Sequence, residues 1–458
     1  MKYCSTRGGV QGLSFVDSLM TGLAPDGGLL VPESIPDVTA QLDSWRDLSF
    51  VELAQQVIAL FVDDIERETL DKLITEAYAS FSHPEVIGWR TLGDVTLMEL
   101  FHGPTLAFKD VALQLVGRLF EHVLAERGEH MNILGATSGD TGGAAIASVR
   151  GQDNIDIFIL YPDSKVSPLQ EMQMTTVTDN NVHCVAVQGS FDDCQSLMKE
   201  VFADLDFKQE FHLGAVNSVN WARVMAQIVY YGYASLRFEQ PPAFCVPTGN
   251  FGNIFAAYMA REMGFPMDRL LMATNENDIL VRFFATGEYA RGEVHYTLSP
   301  AMDIQVASNF ERFLYYYFDK DAQRLKEFMQ EFQSTGRASI GAPPGDDVLL
   351  ATAVDTQQTL ATVKSVFEQF DYVLDPHTAV AFAACQEFGK QCSAPLVCVA
   401  TAHPAKFPEA VKQASPTAQA THPVLEALKG LASKKQLIPA TVDAVKDLIR
   451  ATVSAQPH

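Results

Sequence analysis

Five short stretches of this chain concentrate residue types that do chemistry. Lys109 stands in MELFHGPTLAFKDVALQLVGRLF, just after a Gly-Pro turn and at the start of a strongly apolar helical run, which puts its amine at the edge of a core. Alone, such a lysine reads as a solvated side chain snorkelling off a helix. Its company elsewhere in the chain shifts that balance. In VPTGNFGNIFAAYMA a strand ends at Pro247 and a helix begins near Gly252. Gly249 and Gly252 let the main chain approach a ligand closely, so N–H groups and the helix dipole can face a phosphate. A tight turn without a ligand explains the same residues. ILGATSGDTGGAAIA offers the hydroxyls of Thr137, Ser138 and Thr141 beside exposed amides, a combination suited to a carboxylate, or else helix capping by Ser138, Asp140 or Thr141. NSVNWARV places Ser218, Asn220 and Arg223 at a helix start, and the arginine is either a fork for phosphate or carboxylate or one half of a surface ion pair. In CVATAHPAKFPEAV a buried strand delivers Thr401, whose hydroxyl can face a ring nitrogen or cap the helix after Pro404, while His403 and Lys406 read as structural.

The elements that must position these residues follow one rhythm. Short apolar runs precede amphipathic stretches: NILGA before 141–150, IFILY before 167–174, VHCVAV before 191–204 and FHLGAV before 219–236. The pattern continues with FCVP before 252–263, LLMAT before 277–286 and LVCVAT before 404–413. Repeated strand-then-helix units imply right-handed crossovers and a largely parallel sheet covered on both faces. Ligand sites in such sheets lie beyond the carboxyl ends of the strands, which is where the five stretches fall. Before about residue 95 the sequence is mixed, with a Gly-rich APDGG loop and helical periodicity from Val51 to Phe81, and predicts a separate N-terminal domain. ASPTAQATHP at 414–423 predicts a surface loop before a last helical region ending near Thr452.

Composition bounds the function. With 458 residues, 47% hydrophobic and 19% charged, the chain is long enough for two or three domains and unlike a disordered sequence. A net charge of -23 without any basic run argues against nucleic acid as a partner. Seven cysteines without a C-x-x-C pair signal neither a disulfide framework nor a zinc clip, so no metal is expected. No stretch is long and apolar enough for a membrane span, and MKYCSTRGGVQGLSF lacks the apolar core of a secretory signal, which points to a cytoplasmic protein.

Taken together, these segments resemble the threonine synthase family, pyridoxal 5'-phosphate enzymes of the tryptophan synthase β-subunit fold. STRG, LAPDGGLLVPESIP, GPTLAFKD, TSGDTGG, NSVNWAR, PTGNFGN, ATNENDIL, SPAMDIQVASNFERFLY and TAHPAKF run in one order from end to end and are similar to the longer microbial and fungal branch. The resemblance implies an α/β fold with parallel-rich sheets flanked by helices, an N-terminal domain over 1–95 and a cofactor-binding core of two α/β lobes over 96–458. It also implies a lyase that converts O-phospho-L-homoserine and water to L-threonine and phosphate, the last step of threonine biosynthesis. By the same resemblance Lys109 matches the Schiff-base lysine. Gly249, Asn250, Phe251, Gly252 and Asn253 match the loop around the cofactor phosphate, and Thr401 matches the hydroxyl facing the pyridine nitrogen. Thr137, Ser138, Asp140 and Thr141 would lie by the substrate carboxylate and cofactor ring, and Thr141, Ser218, Arg223 and Asn253 by the substrate phosphate. Many relatives of the fold carry Asn where this chain has Asp140, and a carboxylate there would be repelled by the anionic groups around it, so it is expected to be protonated or turned away. Three other readings compete: a serine or threonine dehydratase, which needs no second phosphate site; a non-catalytic threonine-synthase-like protein; and a nicotinamide oxidoreductase, whose glycine spacing is absent. Monomer and homodimer both remain open.

Overall fold

The computed structural model describes residues 1–215, 218–345 and 349–454. The chain divides into two compact units, one made of Met1–Ala112 with Ser218–Ala420 and the other of Leu113–Asn217 with Thr421–His458. The first unit is built on a six-stranded sheet in the order Leu349–Ala353, Leu270–Thr274, Ala243–Pro247, Leu396–Ala400, Val95–Glu99 and Gly88–Leu92. All neighbours are parallel except the last pair, a hairpin edge turned by Gly93 at φ 63°. The central strands FCVP, LLMAT and LVCVA are buried along their whole length, as a parallel sheet covered on both faces requires. Helix Pro376–Gly389 supplies much of one cover, packing Val380, Phe382 and Cys385 against Cys245, Cys398 and Leu97. The same unit contains the N-terminal helices Phe50–Ala59 and Arg67–Tyr78, the first closed by a capping box of Ser49 and Glu52.

The second unit carries an all-parallel sheet in the order Gln436–Pro439, Val182–Gln188, Ile155–Pro162, Met131–Ala136 and Leu213–Gly214. Its core joins Phe158, Leu160 and Val185 to Leu197 and Val201 of helix Phe191–Ala203 and to Val445 and Ile449 of the C-terminal helix Val442–Ser454. Helix Lys109–Arg127 begins in the first unit and continues into the second. Among the described residues no helix is long and apolar enough to cross a membrane, and no group of His, Cys, Asp or Glu is placed to hold a metal ion.

Most of the predicted strands and helices occur within a few residues of their expected bounds. FHLGAV is the exception: only Leu213–Gly214 pairs with the sheet, Phe211 and His212 close the preceding helical turn, and Val216 lies outside the described residues.

Candidate functional site

Three of the five stretches leave the same edge of the first unit's sheet. Register pairs Ala400 with Glu99, and Leu396 with both Val95 and Ala243, so the carboxyl ends of these strands lie side by side and release the loops 100–108, 401–407 and 248–251. The loop to Lys109 is held from within and from its neighbour. Asp110, wholly buried, accepts from the N–H and hydroxyl of Thr105 at 2.8 and 2.7 Å. Burial pushes the Asp110 carboxyl up, against those hydrogen bonds and the charge of Lys406. Phe108 N–H donates to the Thr401 carbonyl at 2.8 Å and His403 N–H to the Leu106 carbonyl at 3.0 Å, which fixes Lys109 and Thr401 as neighbours. Both are buried, Lys109 at 8% exposure and Thr401 at 6%, and the Lys109 ammonium lies 5.6 Å from the Phe108 ring centroid. The capping role open to Thr401 falls to His403, whose Nδ1 accepts from Ala405 N–H. Lys406, also buried, donates to the Thr105 carbonyl at 2.7 Å and so helps to hold the Lys109 loop.

The Gly-rich loop ends in helix Gly252–Glu262, entered through Phe251 in the left-handed region at φ 65°. That conformation costs a non-glycine residue about 1–2 kcal/mol. Burial of the Phe251 ring against Phe310 and Phe313, at 5.2 and 5.8 Å between centroids, offsets it. Gly249 passes so close to the Ala301–Met302 backbone that a Cβ there would stand 2.5 Å from the Ala301 carbonyl oxygen. Asn253 lies in the first turn of the helix, where its Oδ1 accepts from the hydroxyls of Tyr230 and Tyr231 at 2.5 and 2.7 Å. Both amide acceptor sites are thereby filled and its orientation is set. Its buried Nδ2 has no hydrogen-bond partner among the described residues.

Arg223 sits on helix Trp221–Ser235, one face of which carries Tyr230 seven residues on. It is 5% exposed, and among the described residues neither its Nε nor its Nη1 has a hydrogen-bond partner. Desolvation lowers its pKa to about 10, with Tyr230 acting in the opposite sense, so it remains a cation at neutral pH. A buried guanidinium without a carboxylate is costly unless an anion arrives, and the surface ion pair considered from sequence is not what is found. Ser218, half-buried, places its Oγ 3.0 Å from that of Ser308. Asn220 caps the Arg223 helix by accepting from Ala222 N–H and anchors to the Leu19 carbonyl. Asn217, the first residue of NSVNWAR, lies outside the described residues.

In the second unit, strand Met131–Ala136 passes through Thr137, Ser138 and Gly139 into helix Asp140–Val149. The capping oxygen belongs to Thr137, which accepts from the N–H groups of Gly139 and Gly142 at 3.0 and 2.9 Å; Ser138, Asp140 and Thr141 do not supply it. With both lone pairs engaged, the Thr137 hydroxyl keeps one donor. Ser138 is exposed and Thr141 half-buried. Gln170 Nε2 donates to Asp140 Oδ1 at 3.3 Å, which partly meets the charge of that carboxylate.

Sequence reasoning passed over the residues that hold these loops. Asp375 caps helix Pro376–Gly389 and orients His377, whose Nε2 accepts from Ala301 N–H, and Thr378, whose hydroxyl accepts from Thr401 N–H. Its signal was the D-P-x-T start of a helix, an N-cap followed by proline at the first helical position. Tyr230 and Tyr231 read as core within VYYGY, and nothing local marks their hydroxyls.

Family models match along the chain: threonine synthase N terminus over residues 2–78, pyridoxal-phosphate dependent enzyme over 90–402, and threonine synthase C-terminal over 378–449. The chain is 48% identical to the threonine synthase of Pseudomonas aeruginosa over 423 residues, 90% of each protein. Its structure is similar to that of the PLP-bound threonine synthase from Brucella melitensis, with a TM-score of 0.96 and 43% identity over 99% of this chain and 100% of that one. The yeast threonine synthase structure matches with a TM-score of 0.95 and 38% identity, covering 99% of both chains.

Proposed function

We infer the reaction from one premise: this chain belongs to the threonine synthase family of pyridoxal-phosphate-dependent enzymes. The residues fit that cofactor. Lys109 is a buried amine beside a buried hydroxyl, and the 249–253 loop offers a helix N-terminus together with the unpaired amide of Asn253. When bound, pyridoxal 5'-phosphate supplies an electron sink for a carbanion adjacent to the substrate amine.

In the proposed reaction O-phospho-L-homoserine and water become L-threonine and inorganic phosphate. Lys109 would hold the cofactor through its amine, and the same amine, when free, would move protons at the substrate's Cα and then Cβ. The Cγ–O bond breaks and phosphate departs, water adds at Cβ, and protons return to Cγ and Cα. The main chain of Gly249, Asn250, Phe251 and Gly252, with Asn253, holds the cofactor phosphate, and Thr401 meets the ring nitrogen. Asp140, already engaged by Gln170, stands near the ring, while Thr137, Ser138 and Thr141 hold the substrate carboxylate. Arg223, Ser218, Asn253 and Thr141 take the substrate phosphate. The observation that carries this reading is the buried cation of Arg223, whose Nε and Nη1 have no hydrogen-bond partner among the described residues, beside Tyr230, whose hydroxyl in turn donates to Asn253, because a leaving phosphate needs positive charge that water does not screen. A dehydratase has no use for such a group. The free state of all seven cysteines supports a cytoplasmic setting.

The test supplies purified protein with O-phosphohomoserine and measures phosphate and threonine together. Equal yields are expected from the wild type and none from Lys109→Ala, which should also lose covalently held cofactor. Deamination to a keto acid instead of threonine would overturn the reading.

A further inference from the structure

Asn309 stands between the two loops to which the proposed function gives anions. Its backbone N–H donates to the Asn250 carbonyl at 3.0 Å. Its Nδ2 donates to that same carbonyl at 3.1 Å and to the Ser218 carbonyl at 3.1 Å. Asn250 immediately precedes the left-handed Phe251, and Ser218 lies two residues before the N-cap of the Arg223 helix. One carboxamide thus sets the backbone of both loops.

Arg312 decides which way that carboxamide faces. Its Nη1 donates to Asn309 Oδ1 at 2.5 Å, which reserves Nδ2 for the two carbonyls. The rest of the fork goes to main-chain oxygens: Nη2 to Val219 at 2.5 Å, and Nε with Nη2 to Leu30 at 3.1 and 2.9 Å. The neighbouring Glu311 carboxylate is taken by Arg7 in a bidentate pair and by the Thr6 hydroxyl. A fully buried arginine spent on the carbonyls of Leu30 and of Val219, next to Ser218, serves to place backbone. The clearance is small, since a Cβ on Gly252 would stand 3.3 Å from Asn309 Nδ2.

We propose that Asn309, oriented by Arg312, is a positioning residue that couples the two anion-binding loops, so that an anion held by Ser218 and Arg223 tightens the 249–253 loop, and the reverse. The inference rests on the assignment of the cofactor phosphate to 249–253 and of a second anion to Arg223. An anion orders the loop that binds it; where both loops hang on one amide, order imposed at one lowers the entropic cost at the other, and the coupling is reciprocal.

The experiment uses holoenzyme, with inorganic phosphate as the probe. Phosphate affinity is measured by calorimetry, and the rate of cofactor loss by the decay of visible absorbance. In the wild type, saturating phosphate should slow cofactor loss by roughly five-fold or more. In Asn309→Ala phosphate should still bind, but cofactor loss should no longer respond to it. Should that variant not fold, Asn309→Asp serves: its carboxylate pairs with Arg312 and keeps the shape but cannot donate to either carbonyl. A phosphate response in either variant equal to the wild type would overturn the coupling, as would a wild type that binds phosphate yet loses cofactor at the same or a faster rate. Arg223→Ala separates the premise from the inference, since it should abolish phosphate binding. Unchanged affinity in that variant would remove the second anion site, and the coupling with it.

Discussion

The arginine at position 223 holds its charge at a cost. Because burial disfavours the cation, the penalty is in force at every pH below about 10 and lifts only as the pH climbs through that value toward the ordinary arginine range. At neutral pH it is present in full, on the order of 3 kcal/mol. Replacement by an apolar residue of similar length therefore has opposite effects on stability and function. Arg223→Met is expected to hold or raise the thermal midpoint of ligand-free protein while lowering kcat/KM for O-phosphohomoserine by roughly 30- to 4,000-fold. A lower midpoint with near-normal kcat/KM would make the arginine structural. At Thr401 the main chain is already committed, its N–H to Thr378 Oγ1 and its carbonyl to Phe108 N–H, so side-chain changes probe the hydroxyl alone. Thr401→Ser should retain most activity and the isosteric Thr401→Val should lose much of it; equal rates in the two would remove the ring-nitrogen role. Arg223 and Thr401 stood out in the sequence as candidates because each stands in a distinctive run, NSVNWAR or TAHPAKF. Asn309 and Arg312 did not, because their work is done through carbonyls distant in sequence that leave no local pattern.

Where one element meets another, two glycines separate packing from binding. Gly117 lies in helix Lys109–Arg127 against helix Asp140–Val149, and a Cβ there would stand 2.1 Å from the Ser148 carbonyl oxygen. Gly249 meets the Ala301 backbone in a comparable way. Forcing extra atoms into such contacts costs about 1–3 kcal/mol. Gly117→Ala should lower the midpoint and leave the cofactor affinity of the folded protein unchanged. Gly249→Ala should weaken cofactor retention roughly 5- to 150-fold with a smaller loss of stability. Thermal melts paired with cofactor titrations distinguish the two, and indistinguishable variants would refute the assignment of the 249–253 loop. The alternation of strand and helix was readable because buried parallel strands are continuous apolar runs such as IFILY and LVCVA. That the strands sort into two lobes was implied only by the family resemblance, since hydrophobic period carries no record of which strand pairs with which. TLME at 96–99 escaped notice because its place inside the sheet comes from its neighbours, and the left-handed turns at Leu106 and Phe251 were hidden by side chains that rarely adopt them.

For the molecule as a whole, a net charge of -23 faces a proposed substrate that is itself an anion. Screening contracts from about 30 Å at 0.01 M salt to about 8 Å at 0.15 M, so kcat/KM should rise as sodium chloride is raised across that range. A steady fall would show that the field of Arg223 outweighs the net charge in capture. The interleaving of the two compact units bears on how the protein is made. Residues 1–112 do not complete the first unit until 218–420 have followed, and the second waits for 421–458, which supply strand Gln436–Pro439 and the buried Val445 and Ile449. At roughly 5–20 residues per second, a ribosome spends tens of seconds extruding chain whose apolar strands have no finished sheet to join. Nascent chains stalled before residue 420 should therefore be protease-sensitive throughout and recruit chaperones, and a chain truncated after Ala420 should be sensitive in 113–217. A stable early fragment in pulse proteolysis would contradict this. Synthesis of residues 421–458 then becomes the step that completes the sheet and core of the second unit, long after its first strands were made.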